Sequence, residues 1–366
     1  MITYLIPLVP GPTRVAPEVL AAYQTDYGSP DIEKDFYELY HDTQLKIRKI
    51  IGTRNKIAIM TGEAMVGLWA GLKSCLVPGD KLLSIANGIF GYGIADMARS
   101  LGCEVEVVGF EYNEAIEVNQ IEEAIRNFHP KMVTMVHCET PSGIINPVEE
   151  VGQIIKQCSV PLFYVDAVSS AGGTEVKVDD WGIDICLIGS QKCLSAPPDI
   201  GMISVSERSW EIIEHIDYKG YDALAPWEEA LEHEWFPYTP SWHSLAAINK
   251  ACDLILKEGL DHVFQRHLKA ADYCRKRLLA MGLTLFPVDE KISSPTVTAV
   301  NVPQKITWQY LNKRLRARGM VIGGSLGKLA NKVFRIGHMG SQANLDLLEH
   351  GMDILEYVLL SHSANM

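Results

Sequence analysis

The sequence predicts an α/β fold: a large domain on a mostly parallel seven-stranded sheet covered by helices, and a smaller C-terminal α+β domain. Three observations carry this. Short β-rich runs alternate with helical stretches between residues 57 and 206. Those runs are apolar at nearly every position, as in strands buried on both faces. Beyond about residue 240 the order changes to long helices leading to short strands. A length of 366 residues suits two domains. They are expected at 15–245 and at 246–366, the second joined by the N-terminal segment 1–14.

The elements follow in order. Prolines at 7, 10, 12 and 17 predict that the first 25 residues are extended. A helix is expected over about 34–51. Strands are expected at 56–60, 81–86, 104–110, 131–137, 161–167, 183–190 and 201–206. The helix at 63–76 places Met65, Leu68, Leu72 and Leu76 on one face at spacings of three and four. Further helices are expected at about 91–101, 118–128 and 148–157, and Pro78-Gly79-Asp80 reads as a turn. An irregular loop around Lys192, rather than a helix, joins the last two strands. The smaller domain reads as helices at about 243–257 and 261–281, a strand at 297–302, a helix at about 306–318 and two short strands. Its last helix is amphipathic, through Leu345, Leu348, Met352, Leu355 and Leu359.

Composition narrows the function. A net charge of −12 argues against a nucleic-acid binder. No run of 18 apolar residues predicts a membrane span. The N-terminus has no basic start, and prolines interrupt its apolar stretch, so a signal peptide is not expected. The eight cysteines contain no CxxC pair and lie mostly in apolar runs. That predicts no structural zinc and a reducing, cytoplasmic home. Three nucleotide and metal motifs fail. Gly91-Tyr92-Gly93 is followed by Asp96 instead of a third glycine, Gly327-Lys328 lacks the P-loop context, and no HExxH occurs.

Chemistry concentrates at the carboxyl ends of three strands, where open α/β sheets bind ligands. One strand ends at Asp166, another leads to Gln191 and Lys192, and a third leads to His137, Cys138, Glu139 and Thr140. A carboxylate after four apolar residues needs a cation or strong donors. A lysine just beyond a buried strand suits an amine with a lowered pKa. The plain alternative is a turn-capping Asp166 and a lysine that reaches solvent. A pyridoxal-type group needs a lysine for a Schiff base, an acid against the pyridine nitrogen and a flat side chain on the ring.

The words TGEAMVGLWA, ANGIFGYG, HCETPSGIINP, YVDAVSSAGG, IGSQKCLSAPP, FPYTPSW and FRIGHMG resemble the class V aminotransferases of fold type I, over essentially the whole chain. The resemblance is strongest to the alanine–glyoxylate and serine–pyruvate branch, with the pyridoxamine–pyruvate transaminases nearest. It implies a transaminase with pyridoxal 5′-phosphate as cofactor, a small-molecule amine donor and 2-oxo acid as partners, and a homodimer with a shared active site. Lys192 then resembles the Schiff-base lysine, and Asp166 the acid on the ring nitrogen. Phe90 resembles the stacking aromatic, and Arg335 the clamp on the substrate carboxylate. Ala64, Met65, Thr140, Gln191 and Thr239 resemble cofactor contacts, and Tyr27 a substrate contact. FPYTPSW is expected to reach across from the second chain.

Two departures matter. Glu63 stands at the start of the helix where the family cradles phosphate. A carboxylate beside a phosphate dianion is repulsive by ~1 to several kcal/mol. Phe236 stands where phosphate-binding relatives carry tyrosine. Both match the pyridoxamine–pyruvate transaminases, which use the unphosphorylated vitamer, pyridoxamine or pyridoxal, as a substrate. The resemblance therefore implies that Glu63 contacts that vitamer and excludes phosphate. The alternatives are a Glu63 that points away, and a phosphate-dependent alanine–glyoxylate, serine–pyruvate or aminoethylphosphonate–pyruvate transaminase. A lyase or desulfurase built around Cys193, and a silent vitamer-binding protein, are rivals from other classes. An arginine expected nine residues before Arg335 is Leu326, with Lys328 the nearest cation.

Overall fold

A computed structural model describes residues 4–363. Positions 1–3 and 364–366, all within the range expected for the smaller domain, lie outside the described residues. The chain opens with β1 (Ile6–Leu8), α1 (Pro17–Tyr23) and α2 (Lys34–Ile50). There follow β2 (Lys56–Thr61), α3 (Ala64–Cys75), β3 (Lys81–Ala86), α4 (Ile89–Ser100), β4 (Glu104–Gly109), α5 (Val118–Phe128) and β5 (Met132–Val136). A small hairpin comes next, β6 (Cys138–Glu139) and β7 (Ile144–Ile145). It leads to α6 (Val148–Gln157), β8 (Leu162–Asp166), β9 (Ile185–Gly189), β10 (Ile200–Val205) and α7 (Glu207–Ile216). The remainder is α8 (Trp242–Glu258), α9 (Leu260–Ala280), β11 (Val297–Asn301), α10 (Trp308–Arg316), β12 (Met320–Gly324), β13 (Val333–Gly337) and α11 (Leu345–Ser363).

The large sheet has seven strands in the order β2-β10-β9-β8-β5-β3-β4. β9, β8, β5, β3 and β4 pair in parallel, whereas β10 is antiparallel to both neighbours. The loop carrying Lys192 therefore returns the chain directly into the adjacent strand, with no crossover helix. Helix α3 lies very close to this sheet. A Cβ on Gly67 would stand 2.7 Å from Leu187, and one on Gly71 would stand 2.7 Å from the Tyr164 ring. Those two glycines let the start of α3 sit near the ends of β8 and β9.

The smaller sheet has the order β1-β12-β13-β11. The N-terminal β1 joins it in parallel, Leu8 opposite Ile322. A second apolar core around Phe334, Ile336, Leu311, Leu348 and Met352 lies beneath it.

One expectation is corrected and one helix is added. The first 25 residues are not wholly extended: α1 begins at Pro17. Proline is tolerated in the first turn because its missing N–H would have had no intrahelical partner there. Helix α7, which the apolar pattern did not reveal, follows the Ser206 cap, whose hydroxyl accepts from the Ser209 amide.

Candidate active site

Asp166 is the last residue of β8, between Val136 and Leu187 in the ladder. Its Oδ1 accepts from the Val168 amide at 2.9 Å, which turns the chain and fixes the carboxyl at the sheet edge. Burial, against that hydrogen bond and the charge of Lys192, pushes its pKa up to about 6. The acid thus has one amide donor and an incentive to meet a cation.

Lys192 follows β9 on the neighbouring strand end. Its Nζ donates to the Pro10 carbonyl at 2.9 Å. Burial holds its pKa below the ordinary lysine value, and the nearby Arg335 charge lowers it further. Asp166, Glu63 and Cys138 pull the other way. The loop is stapled from the N-terminal segment. Thr13 Oγ1 donates to the Lys192 carbonyl at 2.9 Å, and the Thr13 amide donates to the Gln191 carbonyl at 3.0 Å.

Glu63 is the N-cap of α3. Its Oε2 accepts from the Met65 amide at 2.9 Å, and its Oε1 accepts from the Gln191 side-chain amide at 2.6 Å. The chain's own carboxylate therefore engages a first-turn amide of the helix, the kind of donor that suits an anion. Ala64 is buried beneath it, and Met65 is substantially exposed. Gln191 Oε1 is buried with no hydrogen-bond partner.

Phe90 opens α4 and is half-buried. The start of this helix is capped from another strand. Glu139 in β6 accepts from the Gly91 amide at 2.7 Å and the Phe90 amide at 3.3 Å. Gly88 makes this approach feasible, because a Cβ there would collide with the Glu139 carboxyl group. Burial pushes the Glu139 carboxyl up to about 7. The sequence alone places Glu139 at a strand end and assigns it no role. Its only signal is a carboxylate just beyond the apolar run 132–136. Thr140 is buried in the hairpin turn, which closes through the Gly143 amide to the Glu139 carbonyl at 2.8 Å.

Arg335 in β13 is nearly buried. Its Nε and Nη2 both donate to the Gly324 carbonyl, at 2.9 and 2.6 Å. No carboxylate neutralises it in the described hydrogen bonds, and burial holds its pKa down to about 10. It therefore stays cationic at neutral pH with donor capacity left for an anion.

Other residues are placed less centrally. Tyr27 stacks on Trp242 at 5.3 Å and its hydroxyl donates to the Ala22 carbonyl. Thr239 is exposed and donates to Asp31 at 3.1 Å, on the segment that the resemblance assigns to a partner's site. Phe236 is buried among Phe36, Tyr37 and Tyr40 of its own chain. Lys328 lies 3.5 Å above the Tyr112 ring, so its charge is docked on the large sheet's side of the molecule. His137 is buried edge-on to Trp181 at 5.5 Å, and burial lowers its pKa to about 4. Cys193 is buried, hydrogen-bonded to the Ser169 carbonyl, with its pKa driven well up by burial. Such a thiol is packed and unreactive. Among the described residues no cluster of His, Cys, Asp and Glu could hold a metal ion, and no helix is long and apolar enough to cross a membrane.

A buried cation-forming amine, an acid on the next strand end and an arginine without a carboxylate partner fit the amine-and-ring end of a pyridoxal group. The buried, unpartnered Gln191 oxygen is an unused acceptor beside them.

Comparison with known proteins gives the family. Residues 8–334 match the family model for class-V aminotransferases. An uncharacterized aminotransferase of Methanocaldococcus jannaschii is 38% identical over 341 residues, 91% of this chain and 87% of that protein. The pyridoxamine–pyruvate transaminase of Mesorhizobium japonicum is 35% identical over 352 residues, 93% of this chain and 87% of that protein. Among solved structures, pyridoxamine–pyruvate aminotransferase from Mesorhizobium loti superposes with a TM-score of 0.94 at 31% identity, covering 99% of this chain and 93% of that one. Ureidoglycine–glyoxylate aminotransferase from Bacillus subtilis gives 0.93 at 32% identity, covering 99% and 95%. The chain belongs to the class-V aminotransferases, enzymes of fold type I that depend on pyridoxal 5′-phosphate.

Proposed function

We propose that this aminotransferase takes the amino group of pyridoxamine and gives it to pyruvate, forming pyridoxal and L-alanine. The observation that carries the reading is the double engagement of Glu63. Its carboxylate holds the Met65 amide and the Gln191 side-chain amide. A phosphate placed there would lose both donors to the carboxylate and meet its charge as well. A vitamer ending in a neutral hydroxymethyl group meets no such repulsion, and a carboxylate is a good acceptor for its hydroxyl.

The other residues supply the chemistry. Asp166 is placed to keep a proton on a pyridine nitrogen. The protonated ring, once bound, supplies the electron sink for the transferred carbon. Lys192 acts as the base and must be neutral to take a proton; burial and the Arg335 charge favour that form. It removes a proton from C4′ of the donor and returns one to C2 of the acceptor. Arg335 holds the acceptor's carboxylate by parallel hydrogen bonds. Phe90, with its amide fixed by Glu139, is placed to cover the ring. Ala64, Met65 and Thr140 are assigned to contacts with the ring, and Tyr27 to the substrate, on the resemblance alone.

The active enzyme is a homodimer in this reading. Large rings stand exposed at Trp235 and Tyr221 on this chain, and a second subunit would cover such rings. Sedimentation of the purified protein at twice the chain mass supports that part; a monomer rejects it.

The deciding experiment compares two mixtures with dialysed protein. Pyridoxamine plus pyruvate should yield pyridoxal and alanine without added phosphate cofactor. Activity only with L-alanine, glyoxylate and pyridoxal phosphate overturns the reading.

A further inference from the structure

The N-terminal segment touches both ends of the reacting space. The Pro10 carbonyl accepts from Lys192 Nζ at 2.9 Å. A Cβ on Gly323 would meet Pro10 Cδ at 2.8 Å and Arg335 Nη2 at 3.5 Å, so the Pro10 ring flanks the guanidinium. One residue therefore contacts the lysine amine and borders the arginine. Next to it, Gly11 lies flat on the lysine stem. A Cβ there would stand 2.5 Å from Lys192 Cδ and 2.8 Å from Nζ, and its φ of +86° disfavours any other residue.

The segment is held rigidly. On one side Leu8 pairs with Ile322 in the small sheet. Gln342 Nε2 donates to the Val9 carbonyl at 2.7 Å, and its Oε1 accepts from the Arg14 amide at 3.2 Å. On the other side Thr13 is bonded to Gln191 and Lys192. A strap tied at both ends cannot yield to a bulky ligand without breaking those bonds.

We propose that Pro10 is the size-determining wall for the acceptor: with Gly11 laid on the lysine stem behind it, it bounds the space between the Lys192 amine and the Arg335 guanidinium and admits 2-oxo acids whose side chain is hydrogen or methyl. This rests on the transaminase reading above. An acid with its carboxylate on Arg335 and its carbonyl carbon at Lys192 has its remaining substituent against this strap. Each methylene refused by a tight apolar wall is worth about 10-fold or more in discrimination.

The test uses a ladder of acids: glyoxylate, pyruvate, 2-oxobutyrate and 2-oxovalerate. Binding is followed by calorimetry on protein saturated with pyridoxal, which offers no amino group to transfer, and kcat/KM is measured in parallel with pyridoxamine. Wild type should bind pyruvate at least 100-fold more tightly than 2-oxovalerate. Pro10→Ala, which removes two ring carbons, should raise the 2-oxobutyrate-to-pyruvate ratio about 10-fold. Pro10→Gly, which removes all three ring carbons, should raise that ratio further. Thermal melting checks that each variant is folded. If one variant does not fold, the other decides. A flat wild-type ladder, no binding of any acid, or unchanged ratios in folded variants overturns the wall. Absent turnover with a graded binding ladder rejects the pyridoxamine reaction and keeps the wall.

Discussion

The side-chain amide of Gln191 donates to Glu63 Oε1 over 2.6 Å, tying the residue before Lys192 to the cap of α3. Two elements far apart in sequence thereby share one charge. Replacing Glu63 by alanine should have two opposite effects. Loss of the cap costs about 1 kcal/mol and lowers the melting temperature by about 1–2 °C in a chain of this length. The freed amide and the removed charge should raise affinity for pyridoxal phosphate at least 10-fold, read by cofactor fluorescence. A variant that loses stability and gains no affinity would show that Glu63 is a cap alone.

Lys192 should be the residue tagged when borohydride reduces the protein with pyridoxal, identified by peptide mass. Lys192→Ala should lower turnover at least 100-fold, the scale of a lost general base. Because its pKa is lowered, activity should rise with pH along a limb below that of an ordinary lysine. A tag elsewhere would remove the basis of the assignment.

Arg335→Gln should raise the KM for pyruvate by roughly 30-fold or more, the scale of a lost charged hydrogen bond in a buried site. It should also move the rising limb of the pH profile upward, since the Arg335 charge lowers the Lys192 pKa. A change in KM without a shifted limb would separate the clamp from the electrostatic effect.

Buried ionisable groups predict an uneven acid response. Burial lowers the pKa of His137 and His267 to about 4 and of His338 to about 3. The unfolded chain binds protons to these rings first, near pH 6.5. Their contribution is thus intact above that pH and is lost progressively between pH 6.5 and the folded values of about 4 and 3. Asp166 and Glu139 have the opposite sign, with pKa values raised to about 6 and 7. The folded state binds their protons first, so they gain stability as pH falls from 7 toward 4. Three rings outweigh two acids by about one proton between pH 6.5 and 4, so denaturant midpoints should fall gradually over that range and level off below about pH 3.5. A midpoint that stays flat down to pH 4.5 would contradict this. Proton NMR should show the three rings neutral at pH 5.5.

Apolar runs and helical spacing were enough to place the seven strands of the large sheet and most helices, because burial on two faces writes itself into consecutive positions. The same patterns placed Asp166 and Lys192 at strand ends, where a polar residue after an apolar run stands out. Helix α1 was missed because proline reads as a breaker when it is in fact a first-turn residue. The start of α3 at Glu63 was legible, but the direction of its carboxylate was not. That direction depends on a hydrogen bond to Gln191, 128 residues away.

The sequence alone determined which chemical groups exist, on which elements, and that the chain is an α/β protein with a lysine and an acid at neighbouring strand ends. Only the tertiary structure decided what those groups face: Glu63 toward Gln191, Glu139 onto the start of α4, and Pro10 between Lys192 and Arg335. The reason is physical. Periodicity records local burial, residue by residue, whereas a hydrogen bond or a steric wall between distant segments is fixed only when the packing of both sheets brings their edges together.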